Sequence, residues 1–239
     1  MIPSSLEAAL GAAAFVATTM LGIYVLYYGH RSWTNRLFAV LSLFIDAYIV
    51  VNYLSLHPPE QTPENQLFWI RVVMSTCSFI GPGLVLFAHT FPGEKMTLRA
   101  RWYLPLIALC ASSATLSLLP YVFTRIEYPD GMPMPVPGPG IIVFFADFVG
   151  LFIIAFVVLV ERYRRETKAI ERAKQRFLLV GVIVSFTIMG STTVVSVVIF
   201  KTSAAVFMGP NASVILMAVI AYAIVKHQLF DVRLAATQA

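Results

Sequence analysis

The chain has 239 residues, of which 59% are hydrophobic and only 12% charged, with a mean hydropathy of +0.80. A soluble domain is nearer half apolar and a quarter charged, so the excess is too large for one buried core. It argues against a soluble enzyme, a secreted disulfide scaffold and a disordered tail, and the net charge of +5 has to be read by position.

Apolar runs of about bilayer-crossing length recur along the chain, near residues 6–28, 37–56, 67–91, 102–123, 140–160, 177–200 and 206–225. Seven helices of about 21 residues would occupy roughly three fifths of the chain, in line with its hydrophobic fraction. The runs are continuously apolar rather than alternating, which argues against a membrane barrel. The expected fold is all-α, a polytopic membrane bundle of seven transmembrane helices. The third run is long, and Gly81-Pro82-Gly83 in its middle offers a kink or hinge. Cys77 and Cys110 both lie in apolar runs, where they are expected as small buried hydrophobes without a bridge.

Basic residues orient the bundle. Arg31 and Arg36 lie in the first connection, Lys95, Arg99 and Arg101 in the third. Arg162, Arg164, Arg165, Lys168, Arg172, Lys174 and Arg176 lie in the fifth, and Lys226 and Arg233 follow the last span. These make 14 of the 17 Lys and Arg; the opposite side holds only Arg125 and Lys201, and Arg71 is inside the third span. The positive-inside rule therefore predicts an outer N-terminus and a cytoplasmic C-terminus, in a multi-pass protein of the cell inner (plasma) membrane. The start, Met1 to Glu7, has no basic stretch, so the first span is expected to be kept rather than cleaved.

The largest outer connection, Thr124 to Pro139, alternates prolines from Met132 onward and is expected to be an extended, polyproline-like cover or lid, with a turn at Pro129-Asp130-Gly131. The inner connection Glu161 to Arg176 has no Gly or Pro, and Glu161 with Arg165 and Arg162 with Glu166 are spaced four apart. It reads as helix continuing below the membrane against lipid headgroups.

Ionisable side chains inside a span are costly and need a partner or a role. Asp46 lies about nine residues into the second span, roughly 14 Å deep. Asp46 and Asn52 are candidates for lining a polar cavity. Arg71 and Asp147 lie in the outer parts of their spans and are expected to pair, as a structural clasp or as part of a ligand site. His89, near the inner end of the third span, reads as an interface residue.

Motifs that would carry catalysis are absent from the sequence. The last span has no lysine for retinal, no internal repeat is seen, and no HExxH, GxSxG, P-loop or Cys/His metal cluster occurs. The expectation is no catalytic residue, no metal, no cofactor and no nucleic-acid partner.

The last span ends Ala221-Tyr222-Ala223-Ile224-Val225-Lys226-His227-Gln228-Leu229-Phe230-Asp231-Val232-Arg233. Asn35-Arg36-Leu37-Phe38-Ala39 opens the second span, Phe87-Ala88-His89-Thr90-Phe91-Pro92 closes the third, Gln175 to Gly181 opens the sixth, and Gly209-Pro210 precedes the core of the seventh. This ordered set resembles the N-terminal seven-transmembrane sensor region of bacterial histidine kinases over essentially the whole chain.

The resemblance implies a sensory module of a two-component system. It would pass a stimulus through the last helix to a cytoplasmic kinase or other output domain, and it would work as a homodimer. Residues 1–225 would be the sensor domain and 226–239 a cytoplasmic helical extension too short for a phosphoacceptor helix or ATP-binding lobe, so no kinase activity is expected of these residues. Tyr222, Lys226, His227, Leu229, Phe230 and Asp231 are the candidate coupling residues. The stimulus is expected to be a small or lipophilic ligand. The alternative is a small transporter or channel with Asp46 in its pathway.

Overall fold

Each apolar run holds helix in a computed structural model that describes residues 4–91, 95–128, 134–189, 191–192, 206 and 208–237, with side chains except at 4, 28, 170, 174 and 225–237. The first run forms α1 (Ser4–Gly29), which is apolar on every side. Met20, Ile23 and Tyr27 are exposed on its outer face, whereas Ala14, Thr18, Gly22 and Val25 form a buried seam at three- and four-residue spacing. The small side chains of the seam let α2 (Trp33–Leu56) approach closely. A Cβ on Gly22 would lie 2.8 Å from Ser42 Oγ.

Helix α2 starts four residues ahead of the expected Leu37 because Asn35 and Arg36 close the turn before it. Asn35 Nδ2 donates to Val25 O in the last turns of α1 at 3.1 Å and Arg36 Nε to His30 O, just past its end, at 2.7 Å. Helix α3 (Pro63–Cys77) also starts early. Thr62 caps it by accepting from Asn65 N at 3.3 Å, and Pro63 occupies the first helical position, where no amide donor is needed.

The third run is interrupted at Ser78–Phe79 and resumes as α4 (Ile80–Thr90). Gly81-Pro82-Gly83, the expected hinge, lies in the first turn of α4, where a proline costs no intrahelical bond. The glycines admit neighbouring helices. A Cβ on Gly81 would be 3.0 Å from Leu151 Cβ, and one on Gly83 would be 3.2 Å from Leu41 Cδ1.

The fourth run opens with a 3-10 turn, Ala100–Trp102, and continues as α5 (Tyr103–Leu118). It ends five residues before the expected Phe123. Leu119 precedes Pro120 and is extended (φ −82°, ψ 160°), the conformation a following proline favours.

The proline-rich connection is extended but not solitary. Phe123–Glu127 (β1) pairs antiparallel with Met134–Pro137 (β2). Gly138 N donates to Val122 O at 2.8 Å, so by two-residue alternation Val136 and Met134 also face β1. Pro135 and Pro137, opposite Ile126 and Phe123, point away from the partner strand, where the missing N–H leaves no ladder bond unmade. This is why the alternating prolines allow a hairpin rather than a free polyproline segment. The turn expected at Pro129-Asp130-Gly131 lies outside the described residues.

Helix α6 (Gly140–Arg165) runs past the expected end of the fifth span, but the helix expected through Arg176 is broken at residues 166–168 before α7 (Ala169–Met189). Glu166 is extended, and its Oε1 accepts from Lys168 N at 3.0 Å. Glu161 and Arg165 approach to 3.8 Å on an exposed surface, a contact worth little. The Arg162 side chain does not pair with that of Glu166, whose backbone turns out of the helix while its N–H still donates to Arg162 O at 3.0 Å. The remainder of the sixth run, to Phe200, falls outside the described residues except at 191–192. Helix α8 (Met208–Thr237) is a single element of 30 residues that runs through the expected boundary at 225.

Helix α2 packs against α1, α3, α4 and α8; α8 packs against α1, α2 and α7; α6 joins α4, α5 and α7. The shared core is apolar, with Phe38, Leu41, Leu84, Phe87, Leu159, Leu216 and Ile220 fully buried. Gly181 permits the α7–α8 contact, since a Cβ there would lie 2.4 Å from Val219 Cγ1. Among the described residues, four helices are long and apolar enough to cross a bilayer: Ser5–Tyr27, Trp33–Leu56, the broken Pro63–Thr90 and Gly140–Arg165. Met208–Ile224 is a shorter apolar stretch.

Candidate functional site: polar groups inside the bundle

The polar side chains inside the bundle form separate nodes rather than one cavity. The first joins α1 to α2. Asp46 is 5% exposed, and its carboxylate accepts from Thr18 Oγ1 and, at 2.7 Å, from Thr19 Oγ1. Thr18 Oγ1 also lies 3.0 Å from Ala14 O and 3.1 Å from Phe15 O, so its one hydroxyl proton is shared between its own helix backbone and the neighbouring carboxylate. Asn52 is buried as well, with Ser55 Oγ donating to its backbone carbonyl at 2.7 Å. Six residues separate it from Asp46, which turns the two about 120° apart around α2. They do not share a face, and Asp46 is held by α1.

The second node surrounds the break in the third span. Pro82 cannot donate to the carbonyl four residues before it, that of Ser78. Cys110 Sγ of α5 takes that place, at 3.5 Å from Ser78 O. Ser78 Oγ lies 3.2 Å from Met74 O and 3.2 Å from Ser113 Oγ. Asp147 of α6 lies beside Ser113 and Cys110, and its Oδ1 is buried without a hydrogen-bond partner among the described residues. Ser78, Cys110 and Ser113 are each less than 9% exposed. Cys77 and Cys110 are both free and buried, as their positions in apolar runs suggested.

Arg71 does not pair with Asp147. Its Nε and Nη2 donate to Phe123 O at 3.1 and 2.8 Å. Phe123 stands opposite Pro137 at a position whose carbonyl points away from β2, toward α3, and the ladder shifts register immediately after it. The guanidinium therefore docks the hairpin on α3, while Asp147 sits deeper, at the break.

The opposite end of the bundle carries a contact that reasoning from the sequence missed. Arg162 of α6 donates from Nη1 to Phe91 O and from Nη2 to His89 O at 2.6 Å and to Thr97 Oγ1 at 2.5 Å. His89 O also receives Thr97 Oγ1 at 2.5 Å and Thr97 N at 3.3 Å. His89 turns its own Nδ1 toward Val85 O at 2.9 Å. Arg162 thus satisfies carbonyls at the end of α4 that no helical amide reaches. The i,i+4 spacing to Glu166 concealed this role. A signal was present in the two-residue offset of Arg162 from the expected span end, which places it level with the exit of the third span.

Of the candidate coupling residues, Tyr222 is half exposed and packs its ring on Phe177 of α7, with centroids 5.2 Å apart. The side chains of Lys226, His227, Leu229, Phe230 and Asp231 lie outside the described residues; their backbone belongs to α8. Among the described residues no group of His, Cys, Asp and Glu is placed to hold a metal ion.

A search of curated proteins finds no match to this chain. A family described as the N-terminal 7TM region of histidine kinase matches residues 10–233. The matched region is the membrane sensor alone, and it takes in the break at Ser78, the Arg162 contacts and most of α8. The chain belongs to the family of N-terminal seven-transmembrane regions of histidine kinases.

Proposed function

We propose that this chain is the sensing and transmitting module of a two-component signalling protein of the plasma membrane. The hairpin end faces outward and the basic end faces the cytoplasm, as the distribution of Lys and Arg supports. A small or lipophilic stimulus shifts the packing of the bundle, with Asp147 and its neighbours as the polar contact inside it. The change passes through α8 to a kinase or another output partner. Family membership supports both the output and a homodimeric working state.

One observation carries this reading. Helix α8 packs on α1, α2 and α7 within the bundle and continues unbroken to Thr237, twelve residues past the expected membrane boundary at Val225. At 1.5 Å per residue that is roughly 18 Å of rod, enough to carry a rotation or piston movement out of the membrane. The stimulus requires only different affinity for two packing states.

The test joins a histidine-kinase output module after Thr237 and inserts one to four alanines after Val225. Each insertion turns the emerging helix by about 100°. Autophosphorylation in membrane vesicles is expected to swing with insertion length, with four alanines closest to the parent. Output that ignores insertion length would overturn transmission through α8.

A further inference from the structure

The break in the third span leaves an arrangement that neither packing nor family membership explains. Ser78 interrupts the helix in the interior of the bundle, where irregular backbone is tolerated only against protein or a polar cavity. Pro82 frees the Ser78 carbonyl, and among the described residues its one donor is the weak thiol of Cys110 at 3.5 Å. The Ser78 and Ser113 hydroxyl oxygens stand 3.2 Å apart, and Ser113 lies beside the Asp147 carboxylate. Asp147 Oδ1 is buried and accepts no hydrogen bond from the described residues.

We infer that the Ser78 carbonyl, the Ser78 and Ser113 hydroxyls and the Asp147 carboxylate form an intramembrane site for a small monovalent cation of sodium type. The ligand class follows from the donor set. All four groups are hard oxygens, which select alkali and alkaline-earth ions over soft metals. The set carries one negative charge, so a monovalent ion neutralises it where a divalent ion would leave a net charge within the bundle. Two hydroxyl oxygens 3.2 Å apart both reach an ion of sodium's size, and a discontinuous helix supplies the carbonyl, as in other ion sites built at broken membrane helices. The thiol of Cys110 donates weakly and is readily displaced from the carbonyl.

The site joins α3, α4, α5 and α6, so its occupancy stabilises the packing of the broken span against its neighbours. This deepens the sensory reading by naming a ligand class. It is tested by binding rather than signalling, so its failure leaves transmission through α8 untouched.

The experiment uses the full chain in lipid nanodiscs. Thermal unfolding is followed in sodium chloride and in choline chloride at equal ionic strength, at several pH values. Sodium is expected to raise the midpoint by several degrees in a saturable way. Asp147→Asn should abolish the sodium-dependent rise while remaining folded, and Ser113→Ala should weaken the apparent affinity about tenfold. Sodium-23 relaxation on the same samples reports binding directly should a variant unfold early. Equal midpoints in sodium and choline would overturn the proposal. So would a sodium effect that survives in Asp147→Asn, or a midpoint that responds to pH alone, which would mark Asp147 as a proton site only.

Discussion

Replacing Arg162 by methionine keeps most of the aliphatic stem and removes the guanidinium. The structure sets the size of the effect. Arg162 donates to Phe91 O, His89 O and Thr97 Oγ1. After its loss His89 O keeps Thr97 Oγ1 and Thr97 N, so that acceptor remains satisfied. Phe91 O loses its side-chain donor. A hydrogen bond to a charged group contributes roughly 1.5–3 kcal/mol; the one to Phe91 O is lost without replacement, while His89 O and Thr97 Oγ1 keep each other as partners, so the expected cost is about 2–3 kcal/mol. Lysine, a point charge that cannot fork between two carbonyls, should recover about half of it. The assay is equilibrium unfolding in mixed micelles, combined with Thr97→Ala in a double-mutant cycle. Coupling between positions 162 and 97 of about 0.5 kcal/mol or more is expected because they share His89 O. An Arg162→Met variant within about 0.5 kcal/mol of the parent, with additive behaviour in the cycle, would refute the reasoning.

Two further outcomes follow from the geometry. Gly181→Val drives branched carbons into Val219, which a Cβ alone already meets at 2.4 Å. It should cost about 1–3 kcal/mol by overpacking and weaken crosslinking between cysteines placed on α7 and α8; unchanged stability would mean that the two helices are not in this register. In the hairpin, Val136→Pro removes an inward-facing donor and should destabilise it by about 1–2 kcal/mol, whereas Pro135→Val, at an outward position, should be nearly neutral. Amide exchange at Gly138 reads both, and equal effects at the two positions would contradict the pairing.

Much of the architecture is legible along the chain because crossing a bilayer is a local demand. A run of sufficient length and apolarity forms a helix whatever its neighbours are, so each run holds helix, with described boundaries displaced by four residues at the starts of α2 and α3, eight at the start of α7 and twelve at the end of α8. The displacements have local causes that composition hides. Asn35 ties the start of α2 back to Val25 of α1, Thr62 draws α3 forward as its cap, and Pro120 stops α5 early. Glu166 ends α6 where a gap-free charged stretch had suggested continuous helix.

The polar residues were conspicuous in sequence, but their partners were not. Arg71 and Asp147 suggested each other as the opposite charges of the outer spans, yet Arg71 meets a strand carbonyl whose need for a donor depends on the pairing of Phe123 with Pro137. Asp46 suggested a water path, and it is held by two threonines of α1 that drew no notice as ordinary span residues. Ser78, Ser113 and Cys110 were invisible as a group because they lie on separate helices.

Hydrophobic length, basic asymmetry and the ordered motifs were thus enough to give the seven apolar runs, the direction they predict and the family, since each depends on residues near one another in the chain or on simple counts by segment. The rotation and depth of each helix decided the rest: which oxygen Arg71 reaches, where the third span opens, and which groups lie beside Asp147. Those depend on how helices with weakly distinguished faces settle against one another. Small packing differences at Gly22, Gly81 and Gly181 fix that arrangement, and no local pattern encodes it.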